Sequence, residues 1–172
     1  MIDRELIEKA ESGSVDAIIS LGFAYYDRED GEENRGKAFE LYTRALELDP
    51  NNARAINNLG NCYNNGVGVE ENTDKAMELY RKAAELGYTN AQYNLADSLK
   101  KRNDPECLKW YLKAYENGDV DAPYDIANIY NEGTIVPQDY QKYIEYLIKA
   151  DEIGNDSATL DLACAYLQGE HV

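Results

Sequence analysis

The chain has 172 residues, and its 17 Lys plus Arg against 33 Asp plus Glu give a formal charge of −16. That length suffices for one domain with a sizeable core or for a short repeat array. The charge argues against nucleic acid and anionic membrane surfaces, which need a basic face, and favours a protein partner of basic character. The same acids also keep exposed helix faces soluble. No window is apolar enough for a membrane span, and the N-terminal "MIDRELIEKAESG" lacks the apolar run of a signal peptide. Cys62, Cys107 and Cys164 are odd in number and far apart, so reduced thiols in a cytoplasmic protein are expected.

In chain order, residues 3 to 12 read as a helix closed by Gly13, a capping element over residues 1–13. Five related segments then recur: "AIISLGFAYY" from Ala17, "AINNLGNCYN" from Ala55, "AQYNLADSLK" from Ala91, "APYDIANIYN" from Ala122 and "ATLDLACAYL" from Ala158. Four residues after each leading Ala comes Leu21, Leu59, Leu95, Ile126 or Leu162. The next residue is always small: Gly22, Gly60, Ala96, Ala127 or Ala163. Three further on stands Tyr25, Tyr63, Leu99, Tyr130 or Tyr166. Between them lie "KAFELYTRALEL", "KAMELYRKAAEL", "ECLKWYLKAYEN" and "KYIEYLIKADEI", whose apolar residues at i, i+1 and i+4 mark one face of a helix. Each unit is therefore a hairpin of a first helix (A) and a second (B), and the small residue lets the two approach closely.

The implied units are 14–52, 53–88, 89–119, 120–155 and 156–172, the last an A helix only. Gly87, Gly118 and Gly154 stand four residues before the next leading Ala, where a cap glycine belongs. In the third unit the A–B turn "KKRNDP" is short, with Asp104 and Pro105 as N-cap and first-turn residue of its B helix. "NNGVGVEENTDKA" imitates a phosphate loop, but it comes after a helix where such a loop comes after a strand, and its counterparts "DREDGEEN" and "NEGTIVPQ" lack the second glycine. It reads as an A–B turn.

"NLGNCYNNGVGVEENTDKAMELYRKAAELG" resembles the Sel-one-like repeat, a branch of the tetratricopeptide (TPR) superfamily, and "RALELDPNN" resembles the tetratricopeptide junction. The resemblance covers residues 14 to 172, and the third unit departs from it most. It implies an all-α, right-handed α-solenoid of antiparallel helix hairpins, with A helices lining a concave face and B helices a convex one. It also implies an adaptor or scaffold.

No chemistry competes with that expectation. The single histidine, His171, is second from the end, no Cys/His cluster suits zinc, and Tyr26 and Arg28 stand where a calcium loop needs oxygen ligands. Catalytic, cofactor and metal-ligating residues are all expected to be none.

A-helix residues expected not to pack against neighbouring helices form the candidate peptide-binding set. They are Phe23 and Tyr26; Arg54, Asn57, Asn61 and Asn64; Asn90, Tyr93, Asn94, Asp97 and Lys100; and Tyr124, Asp125, Asn128 and Asn131. Asp16, Ile19 and Asp121 share that register. Asn is a poor helix former, yet its donor and acceptor can grip a peptide backbone, and Tyr adds contact area with a polar tip. The expected function is a non-catalytic module holding a peptide or protein segment in this groove. The alternative is an acidic inhibitor or immunity-type protein blocking a basic toxin or nuclease. The last A helix is apolar nearly all round, which implies a piece of a longer array or self-association through Leu160, Tyr166 and Leu167.

Overall fold

The computed structural model describes residues 2–27 and 31–167. Residues 28–30 of the first A–B turn and residues 168–172, His171 among them, lie outside the described residues. Ten helices occur in order among those described: α1 (Arg4–Glu11), α2 (Val15–Tyr26), α3 (Gly31–Leu48), α4 (Ala53–Asn65), α5 (Thr73–Glu85), α6 (Thr89–Lys100), α7 (Glu106–Glu116), α8 (Ala122–Glu132), α9 (Tyr140–Glu152) and α10 (Asp156–Leu167). No strand forms among the described residues, and none of these helices is long and apolar enough to cross a membrane.

The helices start and stop where side chains satisfy the exposed backbone groups of their ends. Asn52, Asn72 and Asp139 accept from the amides of Ala55, Lys75 and Lys142 at 3.1, 2.9 and 3.0 Å. Asn155 accepts from Ala158 N–H at 2.9 Å. At Pro105 the cap is replaced by Asp104, whose carboxylate accepts from Glu106 N–H at 2.9 Å. Gly13, Gly87, Gly118 and Gly154 take φ values of 94°, 89°, 90° and 88°, a left-handed turn that reverses the chain into the next A helix.

The chain divides into two compact units, residues 1–91 and 92–172. In the first, α2 packs on α3 and α4 on α5, while α1 covers the near side of α2 and α3 bridges to α4. Its core includes Ile18, Ile19, Tyr42, Ala55 and Cys62. The close approach rests on two glycines. A Cβ on Gly22 would stand 2.7 Å from Tyr42 Cε1, and one on Gly60 would stand 2.7 Å from Tyr80 Cε1. The ring of each B-helix tyrosine therefore lies directly on the A-helix backbone. The second glycine of "NNGVGV" has a comparable reason: a Cβ on Gly68 would meet Arg35 O at 2.5 Å, so the turn lies against the backbone of α3.

In the second unit α8 packs on α9, α7 on α8 and α9 on α10. Ala127, Tyr143, Leu147, Ala150 and Ala158 form its described core, with Tyr130, Tyr146 and Leu162 packed around it. On α10, Ala158 and Ala165 are buried, whereas Leu160, Tyr166 and Leu167 are 66%, 52% and 87% exposed.

Candidate interaction surface

In the first unit the A-helix face carries an apolar spot beside a polar ladder. Phe23 is 55% exposed on α2, and Tyr26, one turn on, accepts a hydrogen bond from Asn65 Nδ2 at 2.6 Å. Asn64 Nδ2 donates to Asn65 Oδ1 at 2.8 Å and so holds the amide that bonds Tyr26. Asn61 accepts from Tyr80 Oη at 2.8 Å and remains half-buried, as do Arg54 and Asn64. Asn90 is exposed at the start of α6.

Two residues of the expected groove are not on the surface. Asn57 is 2% exposed and donates to buried Asn58 at 3.3 Å, and Asn58 in turn hydrogen-bonds the Tyr42 hydroxyl. Ile19, in the same register one repeat earlier, is fully buried. The position two residues after the leading Ala thus packs into the unit-one core. An A helix contacts a neighbour on each side, so its buried arc is wider than the stripe facing its own B helix.

In the second unit the same register position holds tyrosines that reach forward. Tyr93 Oη on α6 donates to Asp125 Oδ2 on α8 at 2.7 Å, and Tyr124 Oη on α8 donates to Asp161 Oδ2 on α10 at 2.9 Å. In each rung the donor stands two residues after a leading Ala and the acceptor three residues after the next. Asp125 also receives Lys100 Nζ at 2.9 Å, with the Lys and Asp side chains only 24% and 20% exposed. Asp97 pairs with Lys101 at 2.8 Å in an exposed contact of small energetic weight. Asn94, Asn128 and Asn131 are half-buried on the same helices, Asn128 bonding the Tyr124 hydroxyl. Asn65 in the first unit and Asp161 in the second join the A-helix residues of their own units, although sequence reasoning does not single them out as groove residues. Their signal is the periodic offset of their partners.

The phenols beneath this face are held well above their ordinary range. Burial does most of this for Tyr42, Tyr93 and Tyr111, and the neighbouring Asp125 carboxylate adds to it for the last two. Burial likewise pushes the Cys62 thiol up to about 12. The folded chain therefore keeps protons that the unfolded chain has lost once free cysteine titrates, near pH 9, and free tyrosine, near pH 10. Stability is full below about pH 8 and falls as pH rises beyond it. Chemical denaturation at pH 7, 9 and 11 should show a midpoint that is flat to about pH 8, falls gently through pH 9 and steeply beyond about pH 10, with Tyr42→Phe and Tyr111→Phe flattening the steep part.

The Sel1 repeat profile matches residues 15–50, 53–88, 89–119 and 120–152. The chain belongs to the Sel1 repeat family. Among solved structures it is similar to a Sel1 repeat protein from Oxalobacter formigenes, at 26% identity and a TM-score of 0.81, over 94% of this chain and 67% of that one. It is similar to a protective antigen of uropathogenic Escherichia coli with an SLR fold, at 30% identity and a TM-score of 0.84, over 98% of this chain but only 37% of the antigen. An immunity protein from Pseudomonas aeruginosa shares the fold at 23% identity and a TM-score of 0.60, over 88% of this chain and 58% of that one. No curated protein matches the chain. Sel1 repeat proteins are solenoids of helix hairpins that generally mediate protein–protein interaction, and the fold is typically a non-catalytic scaffold. The all-α hairpin architecture expected from the repeats is the one observed.

Proposed function

We propose that this Sel1 repeat chain is a non-catalytic module that holds a segment of a partner protein against its A-helix faces, those of α2 and α4 in the first unit and of α6 and α8 in the second. One observation carries the reading. The polar side chains of these faces are fixed by hydrogen bonds between helices, yet stay part-exposed: Tyr26 with Asn65, Tyr93 with Asp125, Tyr124 with Asp161, and Asn61 held by the buried Tyr80 of α5. Side chains already held in place lose little entropy when a ligand arrives, which is what a binding surface needs. Phe23 supplies an exposed aromatic anchor on α2. The buried free thiols of Cys62 and Cys107 agree with a reducing, cytoplasmic setting.

The test is affinity capture from the host lysate, comparing the parent chain with Phe23→Ser/Asn64→Ala and with a B-helix control, Glu78→Gln, at low and moderate salt. Phe23 is exposed, so the double variant should fold. A partner lost with the A-face substitutions, kept by the control and resistant to salt is the expected result. A partner indifferent to the A face and released by salt would favour the second reading, an acidic inhibitor or immunity-type protein blocking a basic partner. That reading rests on the net charge of −16. The exposed Leu160, Tyr166 and Leu167 offer a surface for self-association, and a concentration-dependent sedimentation coefficient in the same samples would reveal it.

A further inference from the structure

The third repeat breaks a rule that the first two keep. Tyr42 and Tyr80 occupy the same place on their B helices, and both hydroxyls find an A-helix amide. Tyr80 bonds Asn61, six residues after its own repeat's leading Ala. Tyr42 bonds Asn58, three residues after the next repeat's leading Ala. Tyr111 is the matching residue of α7, and its two counterpart positions are Asp97 and Asp125. Its ring meets Tyr93 edge-on with centroids 5.4 Å apart, and Asp125 and Asp97 are the charges that most oppose its ionisation. Tyr111 is fully buried, and its hydroxyl is the buried side-chain atom without a hydrogen-bond partner among the described residues.

The two carboxylates stand on neighbouring helices, Asp97 on α6 paired with Lys101 at 2.8 Å and Asp125 on α8. Tyr93, Asp97 and Lys100 lie at i, i+4 and i+7, on one side of α6. Tyr93 and Lys100 both touch Asp125, so Asp97 is bracketed between two contacts to the same carboxylate. Two carboxylates over an unspent phenol oxygen make a site for a cation with several donors. In the free chain Lys100 lies at one edge of it, three-quarters buried. One ammonium fills only part of that capacity, because Asp125 retains lone pairs and the Tyr111 oxygen is unused. A planar guanidinium presents five donors in a fixed fork and pairs with carboxylates through two bonds at once.

The geometry points to an arginine-recognition site between α6 and α8, formed by Asp97, Asp125 and Tyr111, in which Lys100 stands in for the partner's arginine until the partner binds. It rests on the protein-binding reading and names the side chain which that face selects. Because Lys100 must be displaced, it weakens binding of weak basic ligands and reserves the site for the guanidinium.

The test is an amide NMR titration of the full chain with N-acetyl-arginine methylamide, and with the isosteric, uncharged N-acetyl-citrulline methylamide. The arginine probe should shift the amides of residues 93–100 and 124–128, and citrulline should not. Lys100→Met should tighten the arginine probe by about fivefold or more, and Asp97→Asn should weaken it by about tenfold. Asp97 bears only an exposed ion pair, so that variant keeps its fold even where Asp125→Asn does not. Equal responses to the two probes, or unchanged affinity in a Lys100→Met chain with a native spectrum, would overturn the site. Partner capture that still depends on Phe23 and Asn64 would then leave the broader reading standing. Loss of both would remove the two together.

Discussion

Replacing Gly60 with Leu should destabilise the chain by about 3 kcal/mol. The physical reason is the 2.7 Å that an added Cβ would keep from Tyr80 Cε1, with Tyr80 Cδ1 at 2.9 Å and the Ala76 carbonyl at 3.4 Å. Tyr80 is buried, and its hydroxyl is tied to Asn61, so the ring cannot swing aside without losing both packing and a bond. Helix propensity pulls the other way by only about 1 kcal/mol. The control is Gly36→Ala in α3, where an added Cβ meets nothing within 4 Å. It should raise stability by up to about 1 kcal/mol. Urea denaturation followed by far-ultraviolet circular dichroism reads both. Shrinking the partner ring, as in Gly60→Leu with Tyr80→Ala, should recover part of the loss, because the two side chains compete for one space. A Gly60→Leu chain as stable as the parent would show that the hairpin does not depend on this contact.

The second large effect is expected at Asp125. Its carboxylate accepts from Tyr93 at 2.7 Å and from Lys100 at 2.9 Å. Asp125→Ala strands a phenol and an ammonium at once, and the cost should be about 2–3 kcal/mol once the partial exposure of the pair is allowed for. Tyr93→Phe removes one bond and leaves the ion pair, and should cost about 1 kcal/mol. The double variant should cost less than the sum of the two, since both remove the same bond. Equilibrium denaturation of the four chains supplies the cycle. A fully additive result would mean that the Tyr93–Asp125 bond contributes nothing to stability.

Much of the fold was legible in the chain. The recurring Ala, Leu and small-residue series marks where an A helix meets its B helix, because a glycine or alanine is required wherever an aromatic ring lies on the backbone. Gly87, Gly118 and Gly154 marked the helix ends, because the left-handed turn they make excludes most side chains. The A-helix face was less legible. Taking residues off the A–B stripe as free placed Asn57 and Ile19 on the surface, whereas both are buried against neighbouring helices. Tyr93 and Asp125 were both marked as groove residues, but nothing local shows that they are partners across 32 residues. Long-range pairing of polar side chains leaves no periodic trace unless two repeats are compared at the right offset.

The forward reach of Tyr93 and Tyr124 bears on how such an array can be rearranged by gain or loss of whole repeats. Each rung needs a tyrosine in one repeat and an aspartate in the next, so the identity of a repeat depends partly on its neighbour. Excising residues 120–155 as a block would bring Asp161 to the place of Asp125 and leave a Tyr93–Asp rung intact. Excising residues 89–119 would instead set Asn57 in the donor's place before Asp125, and the phenol would be gone. Repeats of this chain are therefore interchangeable in backbone and unequal in the chemistry of their junctions, and only some deletions would pass unnoticed by the surface they share.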